Sequence, residues 1–179
     1  WTLDFGIHSF CKLDYQPEYF MTLQMDVMFT RGNVLDALLE LFDENTAAVG
    51  VRKQLNLDKT QEILHSLGCL WKTKKFKELK CGFMNEFPKY DVGEKLFVKA
   101  RKAGMSVASL KNPFTDNSVK VSKDKDYFPD FNIDKTLDKE GNIFFMHMGR
   151  GIAKSHKDQS NKLQIGDWQK TFQELILKR

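Results

Sequence analysis

The clearest pattern in this chain is an alternation of hydrophobic and polar residues from Tyr19 to Thr30. One side carries the hydrophobic residues Met21, Leu23, Met25, Val27 and Phe29. A period of two predicts a half-buried β-strand. A weaker alternation runs from Leu3 to Leu13, and a turn at residues 14–17 joins the two segments. We therefore expect these two strands to form an antiparallel pair.

Helical spacing of hydrophobic residues occurs in four other places. Asn33 is a predicted N-cap for a short amphipathic helix, and a second helix is predicted from Asp58 to Trp71. The capping-box pattern Asp91–Glu94 opens a third helix that should end at Gly104. A fourth helix is expected to begin at Asp167.

The remaining segments predict further strands and one long loop. Strands are expected at Ala47–Lys53 and Met105–Leu110, and residues 111–129 have the polar composition of a loop. Phe131–Leu137 and Asn142–Met148 should form a hairpin, with Gly141 at the turn position that needs a positive φ.

These elements predict an α+β fold with a mixed, mainly antiparallel sheet and about four helices packed on it. A length of 179 residues suits a single compact domain over residues 1–179, with a division into 1–104 and 105–179 as the alternative. Three cysteines do not resemble a disulfide framework, and no apolar stretch reaches membrane-spanning length. We therefore expect a soluble, intracellular protein with no membrane partner.

Charge is distributed unevenly along the chain. Residues 1–50 contain two Lys or Arg and eight Asp or Glu, whereas residues 51–179 contain twenty-six and sixteen. This polarity favours an anionic partner such as DNA or RNA.

The basic charge is densest at residues 71–80, which we call the lysine cluster. Read functionally, it is a basic patch whose ammonium groups contact phosphates while Trp71 and Phe76 stack on unpaired bases. The alternative is a solvated lysine face above a buried stripe made of Phe76, Leu79 and Phe83. The cluster's candidate binding residues are Lys72, Lys74, Lys75, Lys77 and Lys80.

A second basic segment follows the predicted hairpin. Gly149 and Gly151 flank Arg150, which leaves room for a phosphate to approach the backbone. Arg150, Lys154 and Lys157 are therefore the second group of candidate nucleic-acid contacts, with a mobile basic loop as the alternative.

Acidic residues near the hairpin provide the candidates for catalysis. Asp130, Asp134 and Asp138 could hold a divalent cation in a metal-dependent nuclease or phosphoesterase; the alternative is that they are solubilising residues of turns and strand edges.

Other metal ligands and a histidine base have less support. His65, Cys69 and Cys81 are three soft ligands without an evident fourth, so buried cysteines are the favoured interpretation. His147 is expected on the sheet surface and not as a catalytic base. We expect no resident metal or other cofactor, unless the protein is a nuclease that uses a divalent metal.

The order strand, strand, helix, strand, helix from Leu3 to Trp71 resembles half of a LAGLIDADG homing endonuclease. The resemblance implies a saddle of antiparallel strands that lies on DNA. It consists of element order alone and assigns no site residues.

The favoured hypothesis is thus a non-enzymatic, nucleic-acid-binding α+β domain. The first alternative is a protein-interaction module whose acidic and basic poles drive assembly into a homo-oligomer. The second is a metal-dependent nuclease or a DNA-binding protein of the homing-endonuclease type.

Overall fold

A computed structural model describes residues 9–24, 26–56, 59–65, 68–111, 127–128, 133–138, 140–148 and 165–177. Its internal contacts divide the chain into two compact units. Unit 1 comprises Trp1–Leu23 and Leu35–Leu110, and unit 2 comprises Gln24–Val34 and Lys111–Arg179. The single domain expected from the sequence stays a prediction.

The described residues form both helices and strands, which confirms the predicted α+β class. The strands are β1 (Tyr19–Leu23), β2 (Val27–Phe29), β3 (Thr46–Gly50), β4 (Lys53–Leu55), β5 (Glu62–Leu64), β6 (Gly68–Lys72), β7 (Ser106–Ser109), β8 (Asp134–Leu137) and β9 (Ile143–His147). The helices are α1 (Val34–Leu39), α2 (Thr73–Glu78), α3 (Glu94–Lys102) and α4 (Ile165–Leu177). Among these helices, none is long and apolar enough to cross a bilayer.

Unit 1 is built on a four-stranded sheet in the order β1-β6-β3-β7. β6 pairs antiparallel with β1 and β3, whereas β3 and β7 are parallel. β4 and β5 form a separate antiparallel hairpin in which Gln54 lies opposite Ile63. The two central strands are almost wholly buried, as expected for strands that are covered on both faces.

The core of unit 1 is centred on Trp71 of β6, which is fully buried. Its indole stacks on Phe97 of α3 at 5.3 Å between ring centroids. Phe76 of α2 and Phe83 meet the same indole edge to face, at 5.3 and 5.9 Å. These rings fix both helices against the sheet, because offset and edge-to-face aromatic pairs stabilise beyond the area that they bury.

The boundaries predicted for the third helix agree closely with those of α3, Glu94–Lys102. The backbone N–H of Asp91 donates to Glu94 Oε2 at 3.0 Å, as in a capping box. The side chain of Asp91 accepts from the N–H of Val92, so the reciprocal half is not formed as predicted. The N-cap is Gly93, and Gly104 has the positive φ expected just beyond the helix.

Unit 2 contains an antiparallel sheet in the order β2-β9-β8. β8 and β9 form the predicted hairpin, and Gly141 has a φ of 84°. Trp168 of α4 stacks on Phe128 at 5.7 Å, within a core that includes Met28 and Met146. The fourth predicted helix is confirmed as α4, in which Trp168 is buried and Phe172 is 46% exposed.

Three predictions about the strands are wrong. Instead of one sheet, the described residues form three, and the strand predicted from Tyr19 to Thr30 is divided into β1 and β2, which belong to different sheets. The strand predicted from Leu3 to Leu13 is helical at Ser9 and Phe10, where the alternation was weak, while residues 3–8 lie outside the described residues. Within the described part, the partner of β1 is β6.

The helix predicted from Asp58 to Trp71 is also wrong, because β5 and β6 occupy most of this segment. Ile63 and Leu64 are both buried, as are the successive residues Cys69, Leu70 and Trp71. A short, continuously apolar run of this kind fits a buried strand as well as a buried helix. The element order that carried the resemblance to a homing endonuclease is therefore not observed.

We predict that Gly93→Ala destabilises the protein more than Gly104→Ala does. Both glycines have a positive φ, which costs an alanine roughly 1–2 kcal/mol. A Cβ at residue 93 would also lie 3.3 Å from Cδ1 of the buried Phe83, whereas a Cβ at residue 104 meets nothing within 4 Å. Urea unfolding of the two variants measures the difference, and equal losses would contradict the contribution of the Phe83 contact.

Candidate functional site

The lysine cluster spans the end of β6, all of α2 and the residues just after it. Thr73, Phe76 and Leu79 are buried, and their spacing of three places them on one side of the helix. Lys74, Lys77 and Lys80 are exposed, and Lys75 is half-buried. Lys74 and Lys77 thus project from the side of α2 that faces away from the core.

The aromatic residues of the lysine cluster belong to the core. Trp71 is fully buried and Phe76 is 4% exposed, so neither ring can stack on a base. The prediction that they do so is wrong. The alternative interpretation, a buried stripe of Phe76, Leu79 and Phe83, is confirmed.

Lys72 differs from the other lysines of the cluster because it binds another segment of unit 1. Its Nζ donates to the backbone carbonyl of Asp43 at 2.7 Å and lies 5.3 Å from the centroid of the Phe42 ring. A hydrogen bond from the Thr46 hydroxyl is the main cause that holds the pKa of Asp43 below its ordinary value, and the charge of Lys72 adds to this effect. Lys72 is therefore partly engaged within the fold.

Within the described residues, the other four lysines of the cluster have no such partner. Of the acidic residues that the structure describes, none forms a salt bridge with Lys74, Lys75, Lys77 or Lys80. Their ammonium charges are not neutralised by these carboxylates.

Helix α3 extends this positive charge. Lys99 Nζ donates to the carbonyls of Leu79 and Lys80, at 3.1 and 3.4 Å, which places its charge at the carboxyl end of α2. Lys102 is exposed and follows Lys99 at a spacing of three, on the same side of α3. We call Lys74, Lys75, Lys77, Lys80, Lys99 and Lys102 the lysine surface.

A turn at residues 86–90 connects the region after α2 to the start of α3. Two backbone hydrogen bonds join Glu86 to Tyr90, and the N–H of Lys89 donates to the carbonyl of Glu86. Lys95 of α3 forms a hydrogen-bonded salt bridge with the side chain of Glu86. The hydrogen bond to Glu86 is the main cause of the raised pKa of Lys95. Phe87, in this turn, is 75% exposed.

Sequence reasoning did not find the turn with Phe87. One signal was available: a Phe-Pro pair lies between a basic segment and a capping box, where a turn is expected. Phe87 belongs to no periodic hydrophobic pattern, so the sequence gives no reason to expect its burial.

His147 forms a second group of ionisable residues, in unit 2. Its Nδ1 lies 2.9 Å from Asp134 Oδ2, and its Nε2 lies 3.1 Å from Asp26 Oδ1. The residue is only 6% exposed, so the expected position on the sheet surface is wrong. The arrangement ties three strands together and leaves both ring nitrogens occupied.

The three candidate catalytic acids are not brought together among the described residues. Asp134 begins β8 and Asp138 directly follows its last residue, so the two lie roughly 13 Å apart along an extended chain. Asp138 accepts hydrogen bonds from the backbone and side chain of Asn142 and lies 3.6 Å from Arg31 Nε, so it stabilises the hairpin turn. Asp130 lies outside the described residues.

The other sequence candidates add no further site. Arg150, Lys154 and Lys157 lie outside the described residues. Cys69 donates to the carbonyl of His65 at 3.2 Å, and burial raises the pKa of its thiol to about 12, which opposes thiolate ligation. Within the described segments, no group of three His, Cys, Asp or Glu residues is arranged to hold a metal ion.

Comparisons with protein-family models, curated proteins and solved structures found no match to this chain. Functional inference therefore depends on the positions and charges of the residues themselves.

We predict that Asp138→Asn lowers stability at neutral pH and reduces the loss of stability in acid. Burial alone would raise the pKa of Asp138, but the hydrogen bonds from Asn142 and the charge of Arg31 outweigh it and hold the pKa below 3.8. A lowered pKa in the folded state stabilises above the ordinary value, and this contribution is lost as the pH falls through the lowered one.

Thermal or urea unfolding from pH 7 to pH 2 tests this prediction. At pH 7 we expect Asp138→Asn to cost about 1–3 kcal/mol, with the difference from wild type shrinking below about pH 4. Glu140→Gln, a charge change at an exposed position of the same turn, serves as the control. A difference that stays constant down to pH 2 would show that the ionised carboxylate is not the stabilising species.

Proposed function

We propose that unit 1 binds nucleic acid through the lysine surface. The observation that carries this proposal is that Lys74, Lys77 and Lys80 are exposed, Lys75 is half-buried, and none of the four forms a salt bridge with a described carboxylate. Ammonium groups close together raise the local positive potential, and phosphate is the anion that a nucleic acid presents at regular spacing.

The positive charge is not confined to one short helix. Residues 71–104 contain ten Lys or Arg and four Asp or Glu, and one of those acids, Glu86, is already paired with Lys95. Lys99 links the charges of α3 to the end of α2 through its two carbonyl contacts. The lysine surface is therefore continuous across two helices, as phosphate tracking requires.

The packing beneath this surface supports binding without a large rearrangement. Phe76 of α2 and Phe97 of α3 both contact Trp71, so the two helices share one aromatic anchor. Backbone positions set by a packed core hold the lysines at fixed separations, although the side chains above them can move. Prior ordering of the lysine-bearing backbone lowers the entropic cost of binding a polyanion.

We predict that the variant Lys74→Gln, Lys75→Gln, Lys77→Gln, Lys80→Gln loses most of its affinity for nucleic acid. Binding is measured by fluorescence anisotropy with labelled single-stranded and duplex oligonucleotides between 50 and about 200 mM salt. Each lost phosphate contact lowers the log–log salt slope by about 0.7–0.9, so four contacts lower it by about 3.

A matched control carries the same charge change at exposed lysines elsewhere in the chain. These are Lys12, Lys59, Lys111 and Lys170, each changed to Gln. We expect this control to keep a salt slope within about 1 of the wild type. Equal losses in both variants would mean that net charge alone causes binding, and salt-independent binding would contradict the proposal outright.

Self-assembly through opposite charges is separated from nucleic-acid binding by light scattering without added ligand. Nucleic-acid binding leaves the mass of the free protein unchanged between low and high salt. A mass that doubles at low salt, and that returns to the monomer in the four-lysine variant, would assign the lysine surface to protein assembly instead.

A further inference from the structure

Phe87 has no structural reason to be a large aromatic residue within the described part of unit 1. Its side chain is 75% exposed, whereas the neighbouring aromatic residues Phe76, Phe83 and Phe97 are all buried. Exposure of this degree forfeits the free energy that burying a phenylalanine provides. The ring of Phe87 is therefore free to contact a ligand.

The turn that carries Phe87 has a defined backbone. Three hydrogen bonds connect Glu86 with Lys89 and Tyr90, at 2.9 to 3.1 Å. The salt bridge between Glu86 and Lys95 attaches the turn to α3. Lys89 Nζ lies 5.3 Å from the centroid of the Tyr90 ring, which keeps a cation beside the turn. Phe87 is therefore presented on a fixed support.

The turn adjoins the lysine surface. Lys95, which holds the turn through Glu86, and Lys99, which binds the carbonyls after α2, are four residues apart on α3. Residues four apart in a helix lie on the same side, one turn apart. The turn that carries Phe87 and the carboxyl end of α2 are thus both attached to one side of α3.

From this juxtaposition we infer that Phe87 stacks on an unpaired base while the lysine surface binds the phosphates on either side. The ligand is therefore single-stranded nucleic acid. In a duplex both faces of each base are covered by its neighbours, so an exposed ring cannot stack on them. Unpaired bases of any sequence have a free face on which a ring can stack. This inference depends on the proposed function and names its substrate class.

An anionic lipid surface would also attract the lysine surface, but the residues next to Phe87 do not favour contact with lipid. Membrane binding through such a turn needs several apolar side chains and few acids at the surface. Here Glu86 directly precedes Phe87, and Asp91 is exposed just beyond the turn. Although Met84 and Val92 are also exposed in this connection, the carboxylates of Glu86 and Asp91 oppose insertion among acyl chains.

The test compares Phe87→Ala with Met84→Ala, which removes an apolar side chain of similar exposure, 55%, from the same connection. Binding is measured by anisotropy with an oligonucleotide as single strand and as duplex. We expect Phe87→Ala to weaken single-strand binding about 5- to 100-fold and to leave duplex binding and the salt slope nearly unchanged. Met84→Ala should change neither affinity more than about twofold.

A second variant, Phe87→Trp, keeps a ring that can stack on a base, and the fluorescence of the new tryptophan reports on that stacking. It should retain single-strand affinity, and its added fluorescence should be quenched by the single strand and not by the duplex. Trp71 and Trp168 are buried, and the wild type, which also contains Trp1, gives the baseline for quenching of the native tryptophans. Circular dichroism melts establish that each variant is folded.

The outcomes separate this inference from the proposed function. Wild-type protein that binds neither strand form overturns both. Loss of binding in the four-lysine variant, with no effect of Phe87→Ala, overturns only the stacking role. Equal losses in Phe87→Ala and Met84→Ala, or binding to phosphatidylserine vesicles that needs Phe87 without preference for single strands, likewise overturn it.

Discussion

Unit 1 depends on the aromatic contacts of one buried side chain, the indole of Trp71. Phe97 stacks on it, and Phe76 and Phe83 approach it edge to face, so α2, α3 and the sheet meet at a single group. Within the described residues the indole N–H has no hydrogen-bond partner, so its contribution comes from ring area and shape. The anchor also decides which side of α2 faces solvent, and this is why Lys74 and Lys77 point outward.

Sequence patterns predicted the elements with strong local signals. The capping residues before α3, the glycine after it and the hairpin of β8 and β9 have residue types that only a few local conformations accept. Partner choice was harder to predict because it depends on residues far apart in sequence. β6 binds both β1 and β3, and its buried residues on both faces removed the alternation that would have distinguished a strand from a helix.

The candidate site was predictable in charge but not in geometry. The lysines are visible as a dense run, whereas the sequence could not decide whether Trp71 and Phe76 faced the ligand or the core, since both positions fit a stripe and a stacking platform. Phe87 gave no periodic signal, because a turn residue is placed by its neighbours' backbone bonds and not by repetition. The contacts of His147 with Asp26 and Asp134 are likewise tertiary, because they join three strands.

The contacts of His147 with Asp26 and Asp134, the His147 group, help to set the register in which β2, β9 and β8 pair. Asp134 stands directly opposite His147 across β8 and β9, and Val27, which follows Asp26, stands opposite it on β2. A slip of one residue along β9 would turn the imidazole to the other face of the sheet and leave the two carboxylates without their shared partner. The hydrophobic residues of β9 are buried on both faces and would tolerate such a slip. The His147 group therefore adds to the Asp138–Asn142 turn in selecting the correct register, which the uniform burial of β9 does not select by itself.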